Sequence, residues 1–326
     1  MVEDLVTQIA APHSKRITLR SSADPADPQL LYPRRHVVKL SHNLKALSQC
    51  YQLLQCNQKS TIRDLYYDHK HLYHRQETLT RSIADLCDLL NCPRSELNLL
   101  SSSKGLVFGS LSFTHVGGRE EAVPVNCWTE PVLISDSLLL ARPSSDAAFI
   151  LVVEKDATFQ KLIDDSFHSL YPRSIIGKGY PDIVTRQFLR KLVDCLNIRV
   201  FGLFDADVHG IEIFLTFKYG GGKTRAETRG ARVASMEWLG LRPSEGGLIP
   251  LPDDQRLPIP HGDYKKAVKV RRRAELLREE EVVKEIDEMR QRRYKLELES
   301  VSSAGVAFLP RLYLAPRLRC LLANEF

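Results

Sequence analysis

Two adjacent tyrosines follow an arginine in the segment TIRDLYYDHKHLY, residues 61–73. If this segment is helical, Arg63, Tyr67 and Lys70 fall on one face, because residues three, four and seven positions apart share a side of a helix. A tyrosine between two cations is well placed to contact a phosphate. The alternative is an exposed tyrosine that lies over two alkyl side chains without any chemical role. Taken alone, the segment fits both interpretations.

A second set of reactive side chains is acidic and follows two short apolar stretches. Glu154 follows FILVV, and Asp205 and Asp207 lie in FDADVHG, directly after IRVFGL. In a parallel α/β sheet, ligands bind beyond the carboxyl ends of the strands. An oxygen-only ligand set suits Mg²⁺ or Mn²⁺, so we predict a metal site here. The alternative, helix N-capping by Asp207 and by Glu154, explains poorly why three carboxylates follow two strands.

The motif GKGYPD, residues 177–182, lies between these two acidic motifs. Its glycines allow the backbone to approach a phosphate closely, and Lys178 supplies a positive charge. A tight turn with a surface lysine is an equally good interpretation.

Three helices are predicted around the tyrosine pair. The periodicity of VVKLSHNLKALSQCYQLLQCN predicts the first, Ser60 or Thr61 can N-cap the second, and a third covers residues 76–91. The next segment, SSSKGLVFGSLSFTHVGG, has glycines between short alternating stretches, which is typical of a small hairpin. Helices followed by a hairpin predict a winged helix, which places one helix in a DNA groove.

The carboxylates belong to a different kind of sequence, which begins near residue 147. Three segments in series each combine an apolar strand, a polar turn and an amphipathic helix, and ARVASMEWL adds a further strand. Such a series predicts a parallel sheet covered on both faces.

The flanking segments have no comparable pattern. Residues 17–35 contain three prolines with Ser and Asp, which indicates a loose arm. The charged stretch AELLREEEVVKEIDEMRQRRYKLELES has oppositely charged pairs four residues apart and predicts one long, solvated helix.

Composition limits the class of protein. The 326 residues are 43% hydrophobic, which is enough for two domains, and the formal charge of +6 is compatible with an anionic partner. The seven cysteines form no CxxC pair, so reduced thiols are expected rather than disulfides or zinc ligands. The longest apolar run, AAFILVV, is too short to span a bilayer, and MVEDLVTQ lacks the features of a signal peptide. We expect a soluble intracellular protein with no membrane partner.

The motifs VEKDATFQ, GKGYPD and DADVHGIEI, in that order, resemble the Toprim domain of the A subunit of type VI DNA topoisomerase. They are still closer to those of its meiotic relatives, the transesterases whose double-strand breaks initiate recombination. TIRDLYY and SSSKGLVFGSL resemble the winged-helix segment of that family, and WLGLRPSE resembles a stretch behind its Toprim core. The resemblance implies a fold of class α/β with α+β, in which a winged-helix domain precedes a Toprim domain.

The resemblance also implies residue roles. Tyr67, the second tyrosine of the pair, corresponds to the nucleophile that forms a 5′-phosphotyrosyl link, and Arg63 to a catalytic arginine. The implied metal ligands for Mg²⁺ or Mn²⁺ are Glu154, Asp205 and Asp207. The expected contacts with double-stranded DNA are Arg63, Lys70, Lys104 and Lys178.

We expect four segments: a loose N-terminal arm at 1–35, the winged-helix domain at 36–118, a linker at 119–142, and the Toprim domain with a helical extension at 143–326. The implied assembly is a nuclear homodimer, and a topoisomerase VI B-like subunit is a second candidate partner. There are two alternatives: the A subunit of a strand-passing topoisomerase, which would share every motif, and a catalytically silent DNA-binding paralogue. The silent paralogue would have lost Tyr67 or a carboxylate, and this chain has lost neither.

Overall fold

The computed structural model describes residues 7–8, 10–11, 16–20, 29–33, 36–100, 104–114, 125–221, 231–305 and 307–323. The described residues form two compact units, one up to residue 100 and another containing residues 104–220 and 231–323.

The first unit is mainly helical. Its helices are α1 Val37–Gln55, α2 Ile62–Asp68, α3 Lys70–Tyr73 and α4 Gln76–Leu90, with a 3₁₀ turn at Arg94–Leu97. Its strands are β1 Arg16–Arg20, β2 Gln29–Pro33, β3 Ser60–Thr61 and β4 Leu99–Leu100. The three predicted helical segments are therefore present, although the tyrosine segment is divided into α2 and α3.

The prediction of a loose N-terminal arm was wrong for its described residues. Strands β1 and β2 pair in antiparallel fashion, and Ile17, Leu19 and Tyr32 are buried in the same core as α1 and α4. The Tyr32 hydroxyl accepts a hydrogen bond from buried Asn43 of α1 at 2.7 Å. The prolines suggested a loop, but the alternation of apolar residues in RITLR places two side chains in the core.

The second unit is built on a larger sheet. Its strands are β5 Leu106–Gly109, β6 Ser112–Thr114, β7 Val125–Asn126, β8 Val132–Leu133, β9 Arg142–Ser144, β10 Phe149–Val153, β11 Ser174–Lys178, β12 Arg199–Leu203, β13 Met236–Gly240, β14 Leu257–Pro258 and β15 Tyr294–Lys295. Six of them form one sheet in the order β13-β12-β10-β11-β5-β8, in which β13, β12, β10 and β11 are parallel. The predicted parallel sheet and its additional strand, β13, are confirmed.

Both faces of this sheet are buried. Along β10, Ile150 and Val152 belong to one apolar cluster, whereas Phe149, Leu151 and Val153 belong to another. Successive strand residues point to opposite faces, so a continuous apolar strand implies that both faces of the sheet are packed against other parts of the protein. The helices of this unit are α5 Asp136–Leu140, α6 Asp156–Asp164, α7 Phe167–Leu170, α8 Ile183–Leu196, α9 Val208–Tyr219, α10 His261–Leu276, α11 Glu280–Arg292, α12 Leu298–Ser303 and α13 Ala315–Leu322, with a π-helix at Phe308–Leu314 and 3₁₀ turns at Pro243–Gly247 and Asp253–Gln255.

The prediction of one long, solvated helix for the charged C-terminal stretch was also wrong. Helices α10 and α11 are separate, and each is followed by a left-handed residue, Arg278 (φ 60°) and Arg293 (φ 60°). Val282, Ile286 and Met289 of α11 are buried in the core of the unit. The chain then continues as strand β15, for which the alternation in YKLELE was the available signal.

The small hairpin predicted after residue 100 is not formed by β5 and β6. Strand β5 pairs with β11 and β8 of the large sheet, whereas β6 pairs with β7 and β9.

The winged-helix assignment of the first unit stays a prediction. In the described part of the chain, no helix has the length and apolar character needed to cross a membrane.

The burial of β1 can be tested by comparing two leucines of the same hairpin. Leu19 is 1% exposed and Leu31 is 52% exposed. We expect Leu19→Ala to lower the free energy of unfolding by about 2–5 kcal/mol and Leu31→Ala to change it by less than about 0.5 kcal/mol. Urea unfolding followed by far-UV circular dichroism, with hydrogen exchange of α1 and α4, measures both. Equal effects of the two substitutions would show that the hairpin is not part of the core.

Candidate active site

The helix that carries the tyrosine pair is only seven residues long and is fixed at its start by a capping box. Thr61 Oγ1 accepts a hydrogen bond from the Asp64 backbone N–H at 3.1 Å, and the Asp64 carboxylate accepts one from the Thr61 N–H at 3.4 Å. These two bonds satisfy N–H groups that a helix start otherwise leaves without partners. Thr61 is thus the predicted N-cap.

The two tyrosines have different environments. Tyr66 is 9% exposed, and its hydroxyl donates a hydrogen bond to the carbonyl of His74 at 3.1 Å. Tyr67 is 55% exposed, and the Arg63 guanidinium carbon lies 5.8 Å from the centre of its ring. Burial and hydrogen bonding thus make Tyr66 a packing residue, while Tyr67 and Arg63 lie together at the surface as predicted.

Lys70 does not continue the same helical face. Helix α2 ends at Asp68, and His69 has non-helical dihedral angles (φ −134°, ψ 37°) before α3 begins at Lys70. Lys70 is exposed, as is Lys104 in the second unit. Both side chains are accessible to an anion.

The carboxylates lie at neighbouring ends of parallel strands. In the register of β10 with β12, Val153 is opposite Leu203, so Glu154 and Asp205 follow the two strand ends within one or two residues. Asp205 and Asp207 are each 5% exposed, and Glu154 is partly buried. The predicted convergence of strand ends is therefore present.

Asp207 caps helix α9. Its Oδ1 atom accepts hydrogen bonds from the backbone N–H groups of His209 (2.9 Å) and Gly210 (2.8 Å). A Cβ atom on Gly210 would lie 2.3 Å from the Asp205 carbonyl oxygen, so this close approach requires glycine. The capping interpretation is correct for Asp207, but not for Glu154, because Lys155 occupies the N-cap position of α6.

Asp205 is held by a segment distant in sequence. Its Oδ1 atom accepts a hydrogen bond from the Leu298 N–H at 2.8 Å, and its Oδ2 atom lies 3.0 Å from Lys155 Nζ. The backbone of Ala206 forms an antiparallel bridge with Leu296. The segment after α11 therefore anchors the DADVHG motif.

The same segment adds charges that sequence reasoning missed. Glu297 and Glu299 lie 3.5 and 2.7 Å from Lys155 Nζ, and Lys295 Nζ lies 3.7 Å from Asp207 Oδ2. The site is thus a network in which two lysines bridge the carboxylates of Asp205 and Asp207 to those of Glu297 and Glu299.

Burial and mutual repulsion change the protonation of this network. Burial, followed by the charges of Asp205 and Asp207, raises the pKa of Glu154 to about 7. Burial also raises the pKa of Asp205, although the Leu298 N–H and Lys155 oppose this shift. The Glu154 Oε2 atom is buried and accepts no hydrogen bond from any described residue.

Lys178 lies at the end of β11, where it is opposite Val153 in the register with β10. Its ammonium group forms an ion pair with Asp156 at 2.8 Å, and its side chain is 17% exposed. The structure therefore places Lys178 beside the carboxylate network, already paired with an acidic residue.

Comparisons with known proteins agree with this arrangement. A family model for the Toprim domain of Spo11 and of the topoisomerase 6 A subunits matches residues 149–318, and one described as "Type IIB DNA topoisomerase" matches residues 38–99. The chain is 42% identical over 305 residues to the meiotic recombination protein spo-11 of Caenorhabditis elegans, covering 93% of this chain and 71% of that protein. The chain belongs to the family of Spo11 and the topoisomerase 6 A subunits.

Two further members of the family are also similar to the chain over most of its length. The chain is 36% identical over 286 residues to the human meiotic recombination protein SPO11, which covers 86% of this chain and 71% of that protein. It is 30% identical over 316 residues to the A subunit of DNA topoisomerase 6 from Arabidopsis thaliana, covering 96% and 72%. As a member of this family, the protein is a topoisomerase-like DNA-cleaving enzyme of the type IIB class.

Toprim domains of this family generally bind divalent metal ions. The donor set here fits such an ion, because it consists of carboxylate oxygens and includes the buried Oε2 atom of Glu154, which accepts no hydrogen bond from a described residue. In this arrangement, however, no three His, Cys, Asp or Glu side chains within the described ranges are positioned to bind one metal ion together. Lys155 and Lys295 lie among the carboxylates instead.

The raised pKa of Glu154 predicts a pH-dependent stability. Between the ordinary value of 4.5 and about 7, the folded protein retains a proton that the unfolded chain has released. The free energy of unfolding therefore falls as the pH rises through this window. In chelator, we expect Glu154→Gln to be more stable than the wild type at pH ~8, by on the order of 1–2 kcal/mol, and nearly equal to it at pH ~4.5.

Trp128 and Trp238 both lie in the second unit, so their fluorescence follows its unfolding in urea. Asp253→Asn removes a carboxylate of the same unit whose side chain is 100% exposed, and serves as the control. A stability difference for Glu154→Gln that is the same at both pH values would contradict the raised pKa.

Proposed function

We propose that this protein makes double-strand breaks in meiotic chromosomal DNA, with Tyr67 as the nucleophile. The observation that carries the residue assignment is the contrast between the exposed Tyr67 and the buried, hydrogen-bonded Tyr66. Identity of 34–42% to meiotic recombination proteins supports the meiotic role. Action on chromosomal DNA implies a nuclear location.

The proposed reaction is a transesterification. The Tyr67 phenolic oxygen forms a bond to a DNA phosphorus, the bond from phosphorus to the 3′-oxygen breaks, and the proton lost by the phenol is balanced by the one gained by the 3′-hydroxyl. The product is a 5′-phosphotyrosyl link. A phenol has a reference pKa of about 10, so a nearby cation is needed to favour the phenolate. The Arg63 guanidinium carbon lies 5.8 Å from the centre of the Tyr67 ring, where the guanidinium group can bind a non-bridging phosphate oxygen.

Glu154, Asp205 and Asp207 would hold a Mg²⁺ or Mn²⁺ ion. When bound, the ion supplies positive charge for the phosphate and for the leaving 3′-oxygen. Asp207 has one oxygen committed to the start of α9, which leaves Oδ2 as its ligand atom. Lys178, Lys70 and Lys104 would bind backbone phosphates, where positive charge raises affinity for DNA of any sequence.

The proposed active unit is a homodimer. Each chain has one candidate nucleophile, and cutting both strands of a duplex requires two, related by a two-fold axis that matches the duplex. The similarity to the topoisomerase 6 A subunits further suggests a B-type partner subunit. A strand-passing A subunit is the alternative function, and ATP-dependent relaxation of supercoiled DNA with a B-type subunit would distinguish it.

The nucleophile can be identified by two matched substitutions. We expect Tyr67→Phe to abolish the covalent protein–DNA adduct and to leave DNA affinity nearly unchanged, because only a hydroxyl is removed from an exposed ring. Tyr66→Phe should retain the adduct and lower stability by about 0.5–1.5 kcal/mol, since it loses the hydrogen bond to His74. Isolation of DNA-linked peptides by mass spectrometry maps the residue. An adduct on Tyr66, or one that persists in Tyr67→Phe, refutes the assignment.

The dimer can be tested by mixing chains. Assemblies that combine one wild-type chain with one Tyr67→Phe chain, purified through two different tags, should nick one strand and make no double-strand break. The matched assembly with Tyr66→Phe should cut both strands. Plasmid conversion to nicked or linear forms, resolved on gels, gives the result. Linear product from the Tyr67→Phe mixture would show that one nucleophile cuts both strands.

A further inference from the structure

The proposed reaction assigns no role to Lys155. It directly follows Glu154, and its ammonium group lies within 3.5 Å of three carboxylates: Asp205 (3.0 Å), Glu299 (2.7 Å) and Glu297 (3.5 Å). Asp205 is at the end of a strand, whereas the two glutamates belong to the segment after α11. Lys155 therefore lies between a predicted metal ligand and a second set of carboxylates.

The charge of the network explains why a lysine is held there. Glu154, Asp205, Asp207, Glu297 and Glu299 interact with Lys155 and Lys295, so five carboxylates face two ammonium groups. Without the lysines, like charges at short range would repel one another strongly in a partly buried site. Lys155 acts as the resident counter-ion.

The same contact limits the binding of a divalent ion to Asp205. Its Oδ1 atom already accepts the Leu298 N–H, and its Oδ2 atom is in contact with Lys155. A divalent ion bound at Oδ2 would meet the ammonium charge a few ångströms away. The long, flexible stem of lysine allows the ammonium group to move by such a distance while its backbone stays fixed.

We propose that Lys155 is a positioning residue that competes with the divalent ion for Asp205, and that Glu299 receives its ammonium group when the ion binds. This inference rests on the proposed role of Asp205 as a metal ligand. Glu299 suits the receiving role because it is the nearest of the three carboxylates to Lys155 and is 43% exposed, so it can pair with the lysine at the rim of the site.

The test is a titration of the full-length protein with Mn²⁺ alone, without DNA, in which electron paramagnetic resonance measures free Mn²⁺. We expect Lys155→Met to bind Mn²⁺ on the order of tenfold more tightly, because the competing charge is gone. Glu299→Gln should bind several-fold more weakly, because Lys155 is then left on Asp205. Lys161→Met is the matched control on α6, where Lys161 pairs with Asp165 instead, and its affinity should equal that of the wild type.

The double variant Lys155→Met/Glu299→Gln separates this role from a general electrostatic effect. If Glu299 acts through Lys155, Glu299→Gln should have little effect once Lys155 is removed. An unchanged effect of Glu299→Gln in that background would overturn the inference. If Lys155→Met fails to fold, the Mn²⁺ affinity of Glu299→Gln still tests the inference.

Asp205→Asn distinguishes failure of the inference from failure of the proposed function. If Asp205→Asn abolishes Mn²⁺ binding while Lys155→Met binds no more tightly than the wild type, the inference is wrong and the metal site stands. If Asp205→Asn binds Mn²⁺ as the wild type does, the metal role of Asp205 is wrong and the inference fails with it.

Discussion

The parallel register between β10 and β12 is the constraint on which the second unit depends. Because Val153 is opposite Leu203, the chain leaves both strands at the same edge of the sheet, and acidic residues that are far apart in sequence become neighbours. Both faces of these strands carry apolar side chains, so helices must cover both faces of the sheet. The chemistry at the edge and the core beneath it follow from one pattern of backbone hydrogen bonds.

The features that sequence reasoning predicted correctly depend on residues that are close together in the sequence. A capping box needs only Thr61 and Asp64, three residues apart, so the start of the tyrosine helix could be located from the sequence. A continuous apolar run followed by a polar turn and an amphipathic helix likewise specifies a strand–helix unit locally. The different exposure of the two tyrosines followed from helical periodicity, since the side chain at 66 faces the core and the side chain at 67 faces outward.

The features that were missed depend on contacts between distant parts of the chain. Lys155 and Glu299 form an ion pair across 144 positions, and no local pattern indicates that pairing. The charge pairs in the C-terminal stretch suggested one continuous helix, although left-handed residues at Arg278 and Arg293 interrupt it. The prediction for the proline-rich N-terminal segment was wrong for a similar reason. It relied on the proline content of the segment, whereas the five-residue strand follows from the alternation of apolar residues.

Asp207 satisfies two separate requirements with one carboxyl group. One oxygen receives the N–H groups that begin α9, and the other faces the charged network beside Lys295. Asparagine would retain a side-chain oxygen for the cap but lose the charge, and glutamate would keep the charge but is too long for the cap geometry. Neither conservative replacement therefore meets both requirements. Asp207→Asn would therefore keep a hydrogen-bond acceptor at the start of α9 and remove one negative charge from the network beside Lys295, so it separates the cap from the charge at a single position.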